Sequence, residues 1–177
     1  MVWRGRKARG PDFAILETCA SVGGMLRIAT EEEMKQTFRP IDQNEVQFPA
    51  EMTFPLLVRD YLAWVEPSGH RAFLVFADPA SHKARGIVFK RGHQSADAPA
   101  AMCDWCHSVR GKGAVGLLTA TVSKTNRIGL TLCRDLSCKD KLEKPPGAND
   151  VFETYPPEDK KARLLERMST FAHRNLF

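Results

Sequence analysis

Four of the chain's five cysteines fall within one short stretch, as two close pairs: Cys103-Asp104-Trp105-Cys106 and Cys133-Arg134-Asp135-Leu136-Ser137-Cys138. Two residues between cysteines bend the backbone tightly enough to aim both sulfurs at one ion. A second pair a hairpin's length away completes a tetrahedral Zn²⁺ site. The expected ligands are therefore Cys103, Cys106, Cys133 and Cys138, holding one zinc. Four thiolates leave no open coordination position, which makes the metal structural rather than catalytic. The alternatives are two disulfides or four ordinary thiols. No convincing secretory signal precedes the domain, so persistent disulfides are disfavoured. A redox Cys-x-x-Cys should follow a strand and open a helix, whereas the segment before Cys103 reads as loop. His107 directly follows Cys106 and competes as a ligand, but its backbone position aims it out of the tetrahedron. His70, His82 and His93 fall in turns or linkers without the close spacing of a second metal site.

The elements around the cysteines must hold them in place. Val115 to Val122 and Ile128 to Leu132 read as strands, and Ser123-Lys124-Thr125-Asn126 between them carries turn residues. Lys139 to Lys144 is helix-permissive until Pro145-Pro146 stops it. A knuckle, a hairpin and then cysteines feeding a short helix is the order of a treble-clef zinc finger.

Upstream, Thr30 followed by Glu31, Glu32 and Glu33 reads as an N-cap with a capping-box glutamate, opening a helix that Arg39-Pro40 ends. Residues 41 to 55, with Pro49 and Pro55, read as an irregular connector anchored by Phe48, Met52, Phe54 and Leu56. Tyr61–Val65, Ala72–Ala77 and Arg85–Lys90 read as three strands of an antiparallel meander, with the first helix covering one face. Gly92 to Pro99 is a linker. After Tyr155-Pro156-Pro157, the spacing of Leu164, Leu165, Met168, Phe171 and Ala172 marks an amphipathic helix, a surface element or a partner-binding one. The expected fold class is α+β: an N-terminal helix and small meander joined to a treble-clef finger and a C-terminal helix.

The net charge of +5 invites a nucleic-acid reading, but Arg4, Arg6, Lys7 and Arg9 account for most of it. Beyond them the charges nearly cancel, so broad phosphate binding is not expected. Residues 1 to 24 read as a flexible basic leader or a mis-assigned start, with Cys19 a free thiol within it and Met25 an alternative first residue. Nothing there makes a signal peptide or a membrane span. No Ser/His/Asp order, phosphate loop or paired-carboxylate motif stands out, so no enzyme is expected; Gly111-Lys112-Gly113 lacks the strand and spacing of a phosphate loop.

Thr30-Glu31-Glu32-Glu33, Tyr61-Leu62-Ala63-Trp64, Phe73-Leu74-Val75, Gly86-Ile87-Val88, Ala101-Met102-Cys103-Asp104-Trp105-Cys106 and Leu132-Cys133-Arg134-Asp135-Leu136-Ser137-Cys138 occur in that order. In this the chain resembles the elongation factor G-binding proteins of the fusidic-acid-resistance (FusB-like) type, in their C-terminal treble-clef zinc-finger domain. The resemblance runs from about Met25 to the end and is most specific at the cysteines, which match the family's zinc ligands. It implies a bacterial, cytoplasmic protein that binds elongation factor G. In the resistance members, that binding promotes release of the factor from stalled ribosomes. The chain resembles a stand-alone form without the family's N-terminal helical bundle. The implied organisation is a single domain over 25–177, divided into helix plus meander (25–98), finger (99–145) and C-terminal helix (146–177). A monomer is expected, meeting the ribosome only through the factor and with no membrane or small-molecule partner.

For the partner surface, the expected residues are Trp105, taken as an exposed aromatic between the knuckle cysteines, and the cations Lys124, Arg127, Arg134 and Lys139. These would steer docking onto an acidic surface of the factor. The opposing reading buries Trp105 against the C-terminal helix. The rival function is a nucleic-acid- or ribosome-binding zinc finger, which requires a basic, aromatic-rich face.

Overall fold

The computed structural model describes residues 25–93, 95, 97–143 and 157–177. The leader with Cys19, the Pro145-Pro146 stop and the Tyr155-Pro156 approach to the last helix lie outside the described residues.

A five-stranded antiparallel sheet carries the molecule. Its order is β3 (Tyr61–Val65), β4 (Arg71–Asp78), β5 (Lys83–Arg91), β8 (Val115–Thr121) and β9 (Arg127–Cys133). The meander and the finger hairpin therefore share one sheet. They join where Phe89 lies opposite Ala120 and Lys90 opposite Thr119. Strand β4 is buried along almost its whole length, as its nearly continuous apolar run requires of a strand covered on both faces.

Each face has its own core. On one, Leu74, Phe76, Ile87, Phe89, Leu118, Ala120 and Leu132 meet Leu164, Met168, Phe171 and Ala172 of α4 (Pro157–Asn175) and the cysteine cluster. On the other, Phe73, Val75 and Val88 meet α1 (Glu31–Gln36) and a small sheet of β1 (Met25–Ile28) and β2 (Leu56–Arg59). Helix α1 begins as its sequence demands. Thr30 Oγ1 accepts from the Glu33 amide at 3.1 Å, and the Glu33 carboxylate reaches back to the Ala29 amide at 2.6 Å. The segment expected to be irregular opens with a helical turn, α2 (Pro40–Gln43). Farther on, Phe48 stacks on Trp64 at 5.8 Å and meets Phe54 edge-on at 6.2 Å.

Two buried polar hubs fix the layers. Asp78, at the end of β4, accepts from Ser169 at 2.5 Å and Arg85 at 2.9 Å, and contacts His173 at 2.8 Å and Ser81. That ties α4 to the sheet. Arg39 holds Asp42 at 2.7 Å and donates to the carbonyls of Thr121, Val122 and Leu176. Among the described residues no helix is long and apolar enough to cross a membrane.

Candidate metal centre

The four cysteines are supplied by two knuckles that open off the ends of the hairpin. The first follows β6 (Ala101–Met102), which pairs with β7 (Val109–Arg110), so Cys103 and Cys106 sit in the loop of a tiny ribbon. Within that loop the His107 amide donates to Cys103 O at 2.9 Å and the Cys103 amide to Ser108 O at 3.0 Å. The turn requires a left-handed residue, and His107 supplies it with φ 57°; histidine is among the side chains that tolerate this region. In the second knuckle Cys133 ends β9 and Cys138 opens α3 (Cys138–Glu143). The Leu136 amide donates to Cys133 O at 2.9 Å, and Leu136 takes the left-handed φ of 54°.

The sulfurs meet as their spacing predicts. All four lie within 4.8 Å of one another, and among the described residues no imidazole or carboxylate joins the cluster. His107 is exposed and outside it. All four are free thiols. Cys103 Sγ lies 3.8 Å from Cys138 Sγ, and Cys106 Sγ 3.6 Å from Cys133 Sγ. A tetrahedron with Zn–S bonds of about 2.3 Å has sulfur–sulfur edges of about 3.8 Å, so the donor set and its separations both fit Zn²⁺. Cys103, Cys133 and Cys138 are buried. Taken as thiols alone, the sulfurs do not ionise alike. Hydrogen bonds led by that from Cys103 hold Cys133 well below the usual thiol range and Cys106 at about 7, while Cys103 and Cys138 are pushed up by their sulfur neighbours. Zinc bound here supplies the positive charge that lets all four serve as thiolates.

Around the sulfurs the chain places donors. Ser108 Oγ lies 3.1 Å from Cys106 Sγ and 3.7 Å from Cys133 Sγ. Burial works to lower the Lys141 ammonium, but its interactions with the Cys133 sulfur and Asp135 outweigh this and raise it. Both groups offset the negative charge of a tetrathiolate centre. Tyr61 then locks the second knuckle to the far edge of the sheet: its hydroxyl donates to Leu136 O and accepts from the Lys139 amide, each at 2.7 Å.

The family model for the FBP C-terminal treble-clef zinc-finger matches residues 33–174. The chain belongs to that family. Among solved structures, the fusidic acid resistance protein FusC is similar at 17% identity and a TM-score of 0.44, over 64% of this chain and 50% of that one. The chain thus spans half the length of that protein. Among curated proteins none matches. In this FBP-type finger, Cys103, Cys106, Cys133 and Cys138 form the zinc site.

The expected partner residues do not stay together. Trp105 is corrected outright: it is 3% exposed, not a surface aromatic. Its ring meets Phe89 at 5.8 Å and Phe171 at 6.3 Å, both edge-on, and Arg167 of α4 donates to its backbone carbonyl. The first knuckle leans on α4, which supplies the core that the tight turn alone does not. Lys139 is also engaged, with Nζ donating to Tyr61 O at 3.0 Å and lying 5.2 Å from that ring's centroid. Arg134 donates to Gly92 O at 2.8 Å and so braces the second knuckle against the end of β5. Lys124 and Arg127 are exposed at the hairpin tip. Sequence reasoning missed Asp104. Its carboxylate accepts from the Thr131 amide at 2.7 Å while its own amide donates to Thr131 O at 2.8 Å, stitching knuckle to β9. Aspartate's habit of capping nearby backbone amides is the only signal for that.

Proposed function

We propose that this protein is a zinc-organised protein-binding module whose partner is translation elongation factor G, and that binding promotes the factor's release from the ribosome. Membership of the FBP finger family carries the reading. The architecture supports it: the zinc centre is closed by four protein sulfurs and buried, so it holds the hairpin and has no position for a substrate. The nucleic-acid alternative needs aromatic platforms for bases. The aromatics of the finger and α4 core, Trp105 and Phe171, are both buried and offer no stacking platform for bases. The protein then acts as a monomer in the cytoplasm.

The surface offered is the hairpin tip, where Lys124 and Arg127 steer an acidic partner surface. Reversing both charges is expected to slow association and flatten its dependence on salt, with zinc content unchanged. The function itself is tested by pull-down from bacterial lysate, with and without ribosomes. Recovery of elongation factor G in both supports the reading. Recovery of ribosomal RNA without the factor overturns it in favour of a nucleic-acid module.

A further inference from the structure

Among the described residues, part of one face of the sheet is left exposed. Along β8, Leu118 and Ala120 point into the core beneath α4, so Leu117, Thr119 and Thr121 point the other way. The register sets Leu117 opposite Thr131, Thr119 opposite Gly129 and Thr121 opposite Arg127. These six side-chain positions form one continuous patch. Lys90 of β5 lies beside Thr119 and, two residues after Val88, shares its face. The core on that face draws on β1, β2, α1 and the meander, and no residue of β8 or β9 belongs to it. Arg39 reaches this part of the hairpin at the backbone of Thr121 and Val122, and Glu45 pairs with Lys90 at 3.5 Å.

The patch has a particular texture. Leu117 is 55% exposed, and a Cβ at Gly129 would come within 2.7 Å of its Cδ1. Leu117 therefore lies across the hydrogen-only position on the next strand. Threonines flank it, and no bulky group stands on β9 until Arg127. From Val115 to Arg134 there is no acidic residue, while Lys124, Arg127 and Arg134 are cationic. A flat, small-residue floor with one apolar contact and cations at its tip is complementary to an acidic protein surface that carries an apolar group. It has no aromatic on which a base could stack.

We infer that the open face of the β8–β9 hairpin, centred on Leu117 seated over Gly129 and bordered by Arg127 and Lys124, is where the acidic protein partner docks. This rests on the proposed function and names the surface that performs it. The partner's apolar group sits against Leu117, which the missing side chain at Gly129 lets lie low on the neighbouring strand.

The test uses calorimetric titration of purified elongation factor G into the full-length, zinc-loaded protein and three variants. Leu117→Thr keeps a strand-forming residue and removes the apolar contact. Gly129→Val raises the floor in a strand that favours β-branched residues. Leu57→Thr is the control, since Leu57 is 68% exposed but lies on β2, in the other layer. Leu117→Thr and Gly129→Val are each expected to weaken binding by about tenfold or more, with zinc content and melting temperature retained, while Leu57→Thr binds as wild type. Should Gly129→Val prove less stable, Leu117→Thr decides alone, because its site is exposed. Wild-type affinity in both hairpin variants overturns the docking face and leaves the proposed function standing. A wild-type protein that does not bind the factor, or binds poly-uridine in its place, overturns both.

Discussion

Trp105 sits in the turn between Cys103 and Cys106 with its ring in the core beneath α4. Its place between two cysteines says only that the turn is tight. Its environment is set by Phe171, far along the chain, which closes over the knuckle together with Phe89. No local spacing reports that encounter. The cysteines were legible because each pair is local and a hairpin alone brings the pairs together. Trp105 thus belongs to the scaffold. Trp105→Ala is expected to cost about 3–5 kcal/mol of stability, read as a lower denaturation midpoint by urea titration. An unchanged midpoint would mean that the ring contributes little to the core. At the second knuckle, Cys133→Ser removes one ligand, and metal analysis should find zinc well below one per chain with the finger destabilised. Full retention would place the metal elsewhere.

At the scale of elements, the meander, hairpin and both terminal helices were legible, because each has an alternating or helical period bounded by turn residues. The β1–β2 pair was not. Its strands are short and far apart in sequence, and they pair Leu26 with Val58 and Ile28 with Leu56 only because the sheet's second face needs cover. How α1 seats on that face depends on one glycine. A Cβ at Gly86 would come within 2.5 Å of the Phe38 ring, which is itself hemmed edge-on by Trp64 and Phe73. The Gly86 amide also donates to Thr37 O at 2.8 Å. Gly86→Ala is therefore expected to destabilise by about 1–3 kcal/mol, measured by thermal unfolding; neutrality would show that the helix shifts freely. The clamp between α4 and β4 responds to acid. Burial works to raise the Asp78 carboxyl, but hydrogen bonds led by Ser169, with Ser81, Arg85 and His173, outweigh it and hold it well below the ordinary range. A depressed folded pKa contributes stability above the unfolded value of about 4 and loses it as pH falls below that. Asp78→Asn should thus be less stable than wild type at neutral pH, with the gap narrowing in acid. A gap that stays constant from pH 7 to about 3 would contradict the assignment.

Taken whole, the molecule is a five-stranded sheet with a zinc centre at one end, α4 strapped across one face, and α1 with the β1–β2 pair on the other. Tyr61, Asp104 and Trp105 carry the order of the metal site into the sheet and the helix. The hairpin that zinc braces at its base presents Lys124 and Arg127 at its tip. On the proposed function, metal and partner are coupled: zinc holds the surface offered to elongation factor G. The most direct measurement titrates purified factor into zinc-loaded protein, into chelator-stripped protein, and into stripped protein reloaded with zinc. The expected result is one-to-one binding by the loaded form, loss on stripping and recovery on reloading. A fully zinc-loaded, folded protein that does not bind the factor, or a stripped one that binds it equally well, would contradict the claim.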